Sequence, residues 1–107
     1  MEGGSLKESL SKLDKYLSAL LSYRNLQGEI PPIEERKVIE TAKINPKTGR
    51  KFTKALVEIG CLSITEEPNL KSKVKKLHVK NKEFLYQLWR FASRFRKKKD
   101  DVCVHPL

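Results

Sequence analysis

Lys47, Arg50, Lys51 and Lys54 follow one another at steps of three, one and three, the spacing that stacks side chains along one side of an α-helix. Four cations on one helical face suit the phosphates of a polyanion. Arg50 can do more, because its planar guanidinium offers two parallel N–H donors to one acceptor pair, such as the edge of guanine, whereas the lysines act as point charges. A second basic set follows in Lys71, Lys73, Lys75 and Lys76, and a third in Arg94, Arg96, Lys97, Lys98 and Lys99. The third set has an equally good local explanation, since cations at the end of a helix meet the negative end of its dipole. Residues 1–45 carry seven Lys or Arg against seven Asp or Glu, and residues 46–107 carry sixteen against six, so the whole formal net charge of +10 belongs to the second part. A duplex surrounds its dense phosphate charge with releasable counterions, and a chain of this size and charge is expected to bind nucleic acid at moderate salt before any sequence is read.

Other kinds of chemistry find little to work with. The acidic neighbours Glu34–Glu35, Glu66–Glu67 and Asp100–Asp101 would point apart on a helix and to opposite faces of a strand, so none makes an acid/base couple. The sequence has no phosphate-cradling glycine loop, no Ser/His/Asp set and no His/Cys cluster at metal-ligand spacing. The expectation is a protein that is not an enzyme, with no cofactor, metal or small-molecule substrate. His78 should face solvent from a strand, and His105 belongs to a C-terminal tail. Cys61 and Cys103 are either two reduced thiols or, as in hyperthermophile cytosols, an intrachain disulfide. The Lys-rich composition, with only Gln27 and Gln87 as glutamines, leans toward a thermophile.

The elements that must position the basic sets can be read from the hydrophobic period. Leu6, Leu10, Leu13, Leu17 and Leu20 step by four and three, which predicts a helix from a Ser5 cap, with Glu8 three residues on, to about Tyr23. Gly28 and the stiff Pro31–Pro32 pair separate it from a second helix, about 33–43, with Ile33, Val38, Ile39 and Ala42 turned inward. Asn45–Pro46 is a cap followed by a first-turn proline. It opens a third helix, about 46–59, with Phe52, Ala55, Leu56 and Ile59 inward and the four cations and Glu58 outward, ending at Gly60. There the period falls to two, predicting strands 61–66 and 73–80 around a basic turn, 67–72. Asn81 caps a last helix, 82–98, in which Phe84, Leu85, Leu88, Trp89, Phe91, Ala92 and Phe95 cover more than one small core encloses.

The order helix, helix, helix, hairpin, helix, with Leu56-Val57-Glu58-Ile59-Gly60-Cys61-Leu62-Ser63-Ile64 carrying the third helix straight into the first strand, resembles the winged helix-turn-helix domain over residues 5–80. With its mass of 12.4 kDa, its charge and its added C-terminal helix, the chain looks similar to the small basic 12 kDa DNA-binding proteins of thermophilic archaea. The resemblance implies a mainly α fold with a small β-hairpin and double-stranded DNA as partner. Recognition helix 46–59 would lie in the major groove, with Lys47, Thr48, Arg50, Lys51 and Lys54 near base edges and phosphates. Wing 67–76 would lay Lys71, Lys73, Lys75 and Lys76 along the backbone or over the minor groove; it lacks arginine, so specific minor-groove reading is not expected. It further implies a two-fold homodimer through Leu88, Trp89, Phe91, Ala92 and Phe95, whose recognition helices engage successive major grooves. The role would be that of a transcriptional regulator or a chromatin-associated architectural protein. The alternatives are a winged-helix protein-interaction module and an RNA-binding protein, the latter disfavoured because the aromatics cluster on the last helix and not on the strands.

A length of 107 residues with 38% hydrophobic residues suffices for one core, so a single domain is expected over 5–99, including the dimerisation helix 82–98, followed by a short tail, 100–107. No apolar run is long enough to cross a bilayer, and residues 1–5 have neither the basic nor the apolar stretch of a secretory signal. The expected location is cytoplasmic and nucleoid-associated.

Overall fold

Pro31 and Pro32 cannot donate backbone hydrogen bonds and hold the chain extended, and the two residues after them, Ile33–Glu34, form a short strand, β1. The computed structural model describes residues 6–68 and 73–95. Helix α1, Leu6–Leu21, precedes β1; helices α2, Glu35–Ala42, and α3, Pro46–Glu58, follow it. Strands β2, Leu62–Pro68, and β3, Lys73–Val79, come next, and α4, Lys82–Ser93, is the last helix among the described residues. The architecture is mostly helical with one three-stranded antiparallel sheet in the order β1-β3-β2. Leu77 of β3 pairs with Ile33 on one side and Ile64 on the other, which fixes the register.

One contiguous cluster of buried side chains holds these elements together. Its largest fully buried members include Tyr16, Leu17 and Leu20 of α1, Val38 of α2, Leu62 and Leu77 of the sheet and Leu85 of α4. Helix α1 packs against α2, α3 and α4, which is why Tyr16, Leu17, Ala19, Leu20 and Leu21 are buried on almost every side of its second half. Between α3 and β2 the chain reverses at Gly60, whose φ of +83° favours glycine. The turn between α2 and α3 uses Lys43 in the same left-handed region, at φ +59°.

Several expectations are corrected here. The second helix does not begin at residue 33: Ile33 is buried, but as a strand residue opposite Leu77, so the hairpin is part of a three-stranded sheet. Helix α3 is rolled by about 70° from the expected orientation, counting 100° per residue. Its buried residues are Gly49, Thr53 and Leu56, with Phe52 half-buried, while Ala55 is exposed and Ile59 is 51% exposed. The strands run to Pro68 and from Lys73, so their connection is 69–72 and lies outside the described residues. Helix α4 ends at Ser93 and not at 98, because Arg94 N bonds Phe91 O and Phe95 N bonds Ala92 O, the tightened i→i+3 pattern of a terminating turn. Ser5, the expected first cap, lies outside the described residues.

Candidate nucleic-acid interface

Asn45 aims the basic helix. Its Oδ1 accepts from the Lys47 amide at 2.8 Å, satisfying one of the free donors of the first turn, and Pro46 stands where a missing N–H costs nothing. The first turn of α3 contains no acid. At 100° and 1.5 Å per residue, Lys47, Arg50, Lys51 and Lys54 fall within about 100° of one another and along roughly 10 Å of the axis. All four are exposed, and among the described residues none has an ion-pair partner. Thr48 is half-buried and lies off this stripe toward the body of the protein.

The inner side of the same turns is held at two points. Gly49 lies so close to α2 that a Cβ there would stand 2.5 Å from Ile39 Cγ1 and 2.7 Å from its Cδ1. One turn on, Thr53 Oγ1 donates to Gly49 O at 3.1 Å and shares a buried 2.5 Å hydrogen bond with the Tyr16 hydroxyl of α1. With the threonine proton directed at Gly49 O, the tyrosine is the donor. Burial pushes the Tyr16 hydroxyl far above its usual range; the bond to Thr53 offsets part of this and the Glu35 carboxylate adds to it. Burial thus favours the protonated hydroxyl, the form that donates to Thr53. Sequence reading passed over Gly49, Thr53 and Tyr16, although a glycine inside a helical pattern was a legible signal of close backbone approach.

The hairpin lysines are not gathered in the same way. Partners directly opposite share a face, so Lys75 lies on the side of Leu77 and across from Glu66, exposed. Lys76 lies on the other side, half-buried, between Thr65 of β2 and Glu34 of β1. Glu34 in turn meets Arg36 at 3.3 Å. The backbone of Lys73 pairs with Pro68 at the end of the ladder, and Lys71 lies outside the described residues. His78 does turn away from the Leu77 side but is half-buried and engaged, its Nε2 2.8 Å from Thr65 Oγ1.

Of the five expected dimerisation residues, Ala92 is a correction, being fully buried in the core of the single chain. Trp89 and Leu88 are half-buried against the core, and the indole N–H donates to Ser18 Oγ of α1 at 2.8 Å. The outward aromatic is Phe91, 47% exposed, with Phe95 edge-on to it at 5.5 Å between ring centroids. Cys61 is buried, with its Sγ 3.7 Å from Asn81 O, and burial raises its pKa. Cys103 lies outside the described residues, as do 96–99 of the third basic set. No helix of the described residues is long and apolar enough to cross a membrane, and no group of three or more His, Cys, Asp or Glu among them could hold a metal ion. Comparison with protein-family models, curated proteins and solved structures brings no match.

Proposed function

We propose that the chain binds double-stranded DNA with α3 laid in the major groove, as a winged helix-turn-helix protein. The observation that carries this reading is the outward stripe of Lys47, Arg50, Lys51 and Lys54, exposed and without ion-pair partners among the described residues, on a helix gripped from its inner side. Like charges three and four residues apart repel, and a phosphate array relieves that repulsion while releasing counterions. The first turns of a recognition helix come nearest the base edges, so Arg50 reads guanine and the lysines hold phosphates. Lys75 lies on the backbone beside the groove; Lys76, beside Glu34 by register, contributes least. The passage of α3 through Gly60 directly into β2 supports the winged-helix assignment. Two copies meeting at Phe91 and Phe95 would present two such helices to successive grooves.

The test is an anisotropy titration of labelled duplexes over a range of salt. Lys51→Ala/Lys54→Ala should weaken every duplex alike and flatten the slope of log K against log salt by about two, and Arg50→Ala should shrink the differences between duplex sequences. A regulator keeps a large gap between its site and random duplex, whereas an architectural protein does not. Wild-type protein that ignores DNA in dilute buffer, or a double variant with an unchanged slope, would refute the reading.

A further inference from the structure

We infer that the buried Tyr16–Thr53 hydroxyl pair is a positioning device that sets the roll of α3 and thereby the direction of Arg50; this rests on the DNA-binding reading above. The inner side of α3 offers α1 few side chains to grip: two of its three buried residues are Gly49 and Thr53, and the half-buried Phe52 meets the Tyr16 ring edge-on at 5.9 Å between centroids. Apolar contact alone constrains rotation of such a helix weakly, whereas a hydrogen bond between two short buried groups tolerates only small departures in distance and angle. The bonds form a chain: the Tyr16 hydroxyl donates to Thr53 Oγ1 at 2.5 Å, and Thr53 Oγ1 donates at 3.1 Å to the carbonyl of Gly49. That carbonyl belongs to the peptide group joining Gly49 to Arg50, so the chain ends on the backbone that carries the base-reading side chain.

The geometry makes roll matter. A rotation of about 20° moves a side-chain tip standing about 6 Å from the helix axis by roughly 2 Å, which is enough to break a two-point pairing with a base. Tyr16 is fully buried and touches no solvent, so it cannot meet DNA itself and reaches Arg50 through α3. A stabilising role alone would be served as well by an apolar pair of the same shape, because exchanging both partners of a buried hydrogen bond leaves no orphaned group.

That exchange separates the two roles. The full chain is used to select its tightest duplex from a randomised pool, and that duplex is titrated with wild type, Tyr16→Phe, Thr53→Val and the double variant, alongside thermal midpoints. Thr53→Val strands the tyrosine hydroxyl and should melt earlier. The double variant should recover the wild-type midpoint yet bind the selected duplex about five- to a hundredfold more weakly, the range of one lost bidentate base contact, with random duplexes bound as before. If the double variant does not fold, Tyr16→Phe alone carries the same comparison, because Thr53 keeps its bond to Gly49 O. Wild-type affinity for the selected duplex at a restored midpoint would overturn the inference. So would a wild-type protein that binds all duplexes equally, a result that leaves the DNA-binding reading standing. A wild type that binds no duplex removes that reading and this inference together.

Discussion

Substituting Gly49 by alanine sets two effects of known sign against each other. Alanine is the better helix former by about 1 kcal/mol, and at an exposed position in α3 it would stabilise the protein. Here the new Cβ would meet Ile39 Cγ1 at 2.5 Å and Cδ1 at 2.7 Å. Carbon contacts are favourable near 3.5–4.0 Å, so Ile39 must withdraw by about 1 Å, and Ile39 is itself buried and β-branched. Overpacking of this kind costs about 1–3 kcal/mol, which leaves a net destabilisation of about 1 kcal/mol and at most about 2. The midpoint of thermal unfolding should fall by about 4–8 °C per kcal/mol for a chain of this size, and the urea midpoint by a few tenths of a molar or more. Trp89, half-buried against α1, is a convenient fluorescence reporter. The decisive measurement is a double-mutant cycle. Ile39→Ala alone costs about 2–5 kcal/mol, but in its background the methyl of Gly49→Ala enters vacated space and should stabilise by about 1 kcal/mol, a coupling of about 2 kcal/mol. If Gly49→Ala stabilises the wild-type chain, or if the two changes add within about 0.5 kcal/mol, the close approach of α2 and α3 is not what holds this glycine in place.

Three further outcomes follow from named groups. Lys43 stands in the left-handed region at φ +59°, so Lys43→Gly should raise stability by a few tenths to about 1 kcal/mol, the relief of strain less the extra freedom of glycine in the unfolded chain; a lowered urea midpoint would contradict this. Tyr16 has its pKa raised above the unfolded value near 10, so the folded state binds the proton more tightly; the stabilisation is complete below pH 10 and is lost as pH rises beyond it. An ultraviolet titration should therefore show one tyrosine ionising only together with alkaline unfolding, a phase that Tyr16→Phe removes; a phase that survives the substitution would count against it. If Phe91 and Phe95 join two copies, sedimentation at micromolar concentration should find a dimer that Phe91→Asp converts to a monomer with an unchanged far-ultraviolet spectrum; a wild-type monomer excludes that interface.

The parts of the fold legible in the sequence are those dictated by neighbours in the chain. Asn45–Pro46 and Asn81 mark the starts of α3 and α4 because their side chains satisfy amides two and three residues on, and Gly60 marks the end of α3 because its φ of +83° excludes most other residues. The stripe of Lys47, Arg50, Lys51 and Lys54 was legible for the same reason, since helical spacing is local. What escaped depends on distant partners. Two residues carry no period, so β1 becomes visible only through its pairing with Leu77 and Lys76. The roll of α3 is not legible in hydropathy because two of its three buried residues are Gly49 and Thr53, which hydropathy does not count as core, while the apolar Ile59 lies in the open. The aromatic excess of α4 shrank once Ser18, far back in the chain, supplied an acceptor for Trp89.

The pairing of β1 with β3 has a kinetic corollary. It fastens Ile33–Glu34 to residues 76 and 77, so everything between them, two helices and a strand, forms a closed circuit that must be brought round before those few bonds can form. Closing such a circuit early would cost chain entropy with little contact energy in return. This fastening therefore belongs to the last stage of folding, and amide exchange should find it opening well before the hairpin beside it lets go.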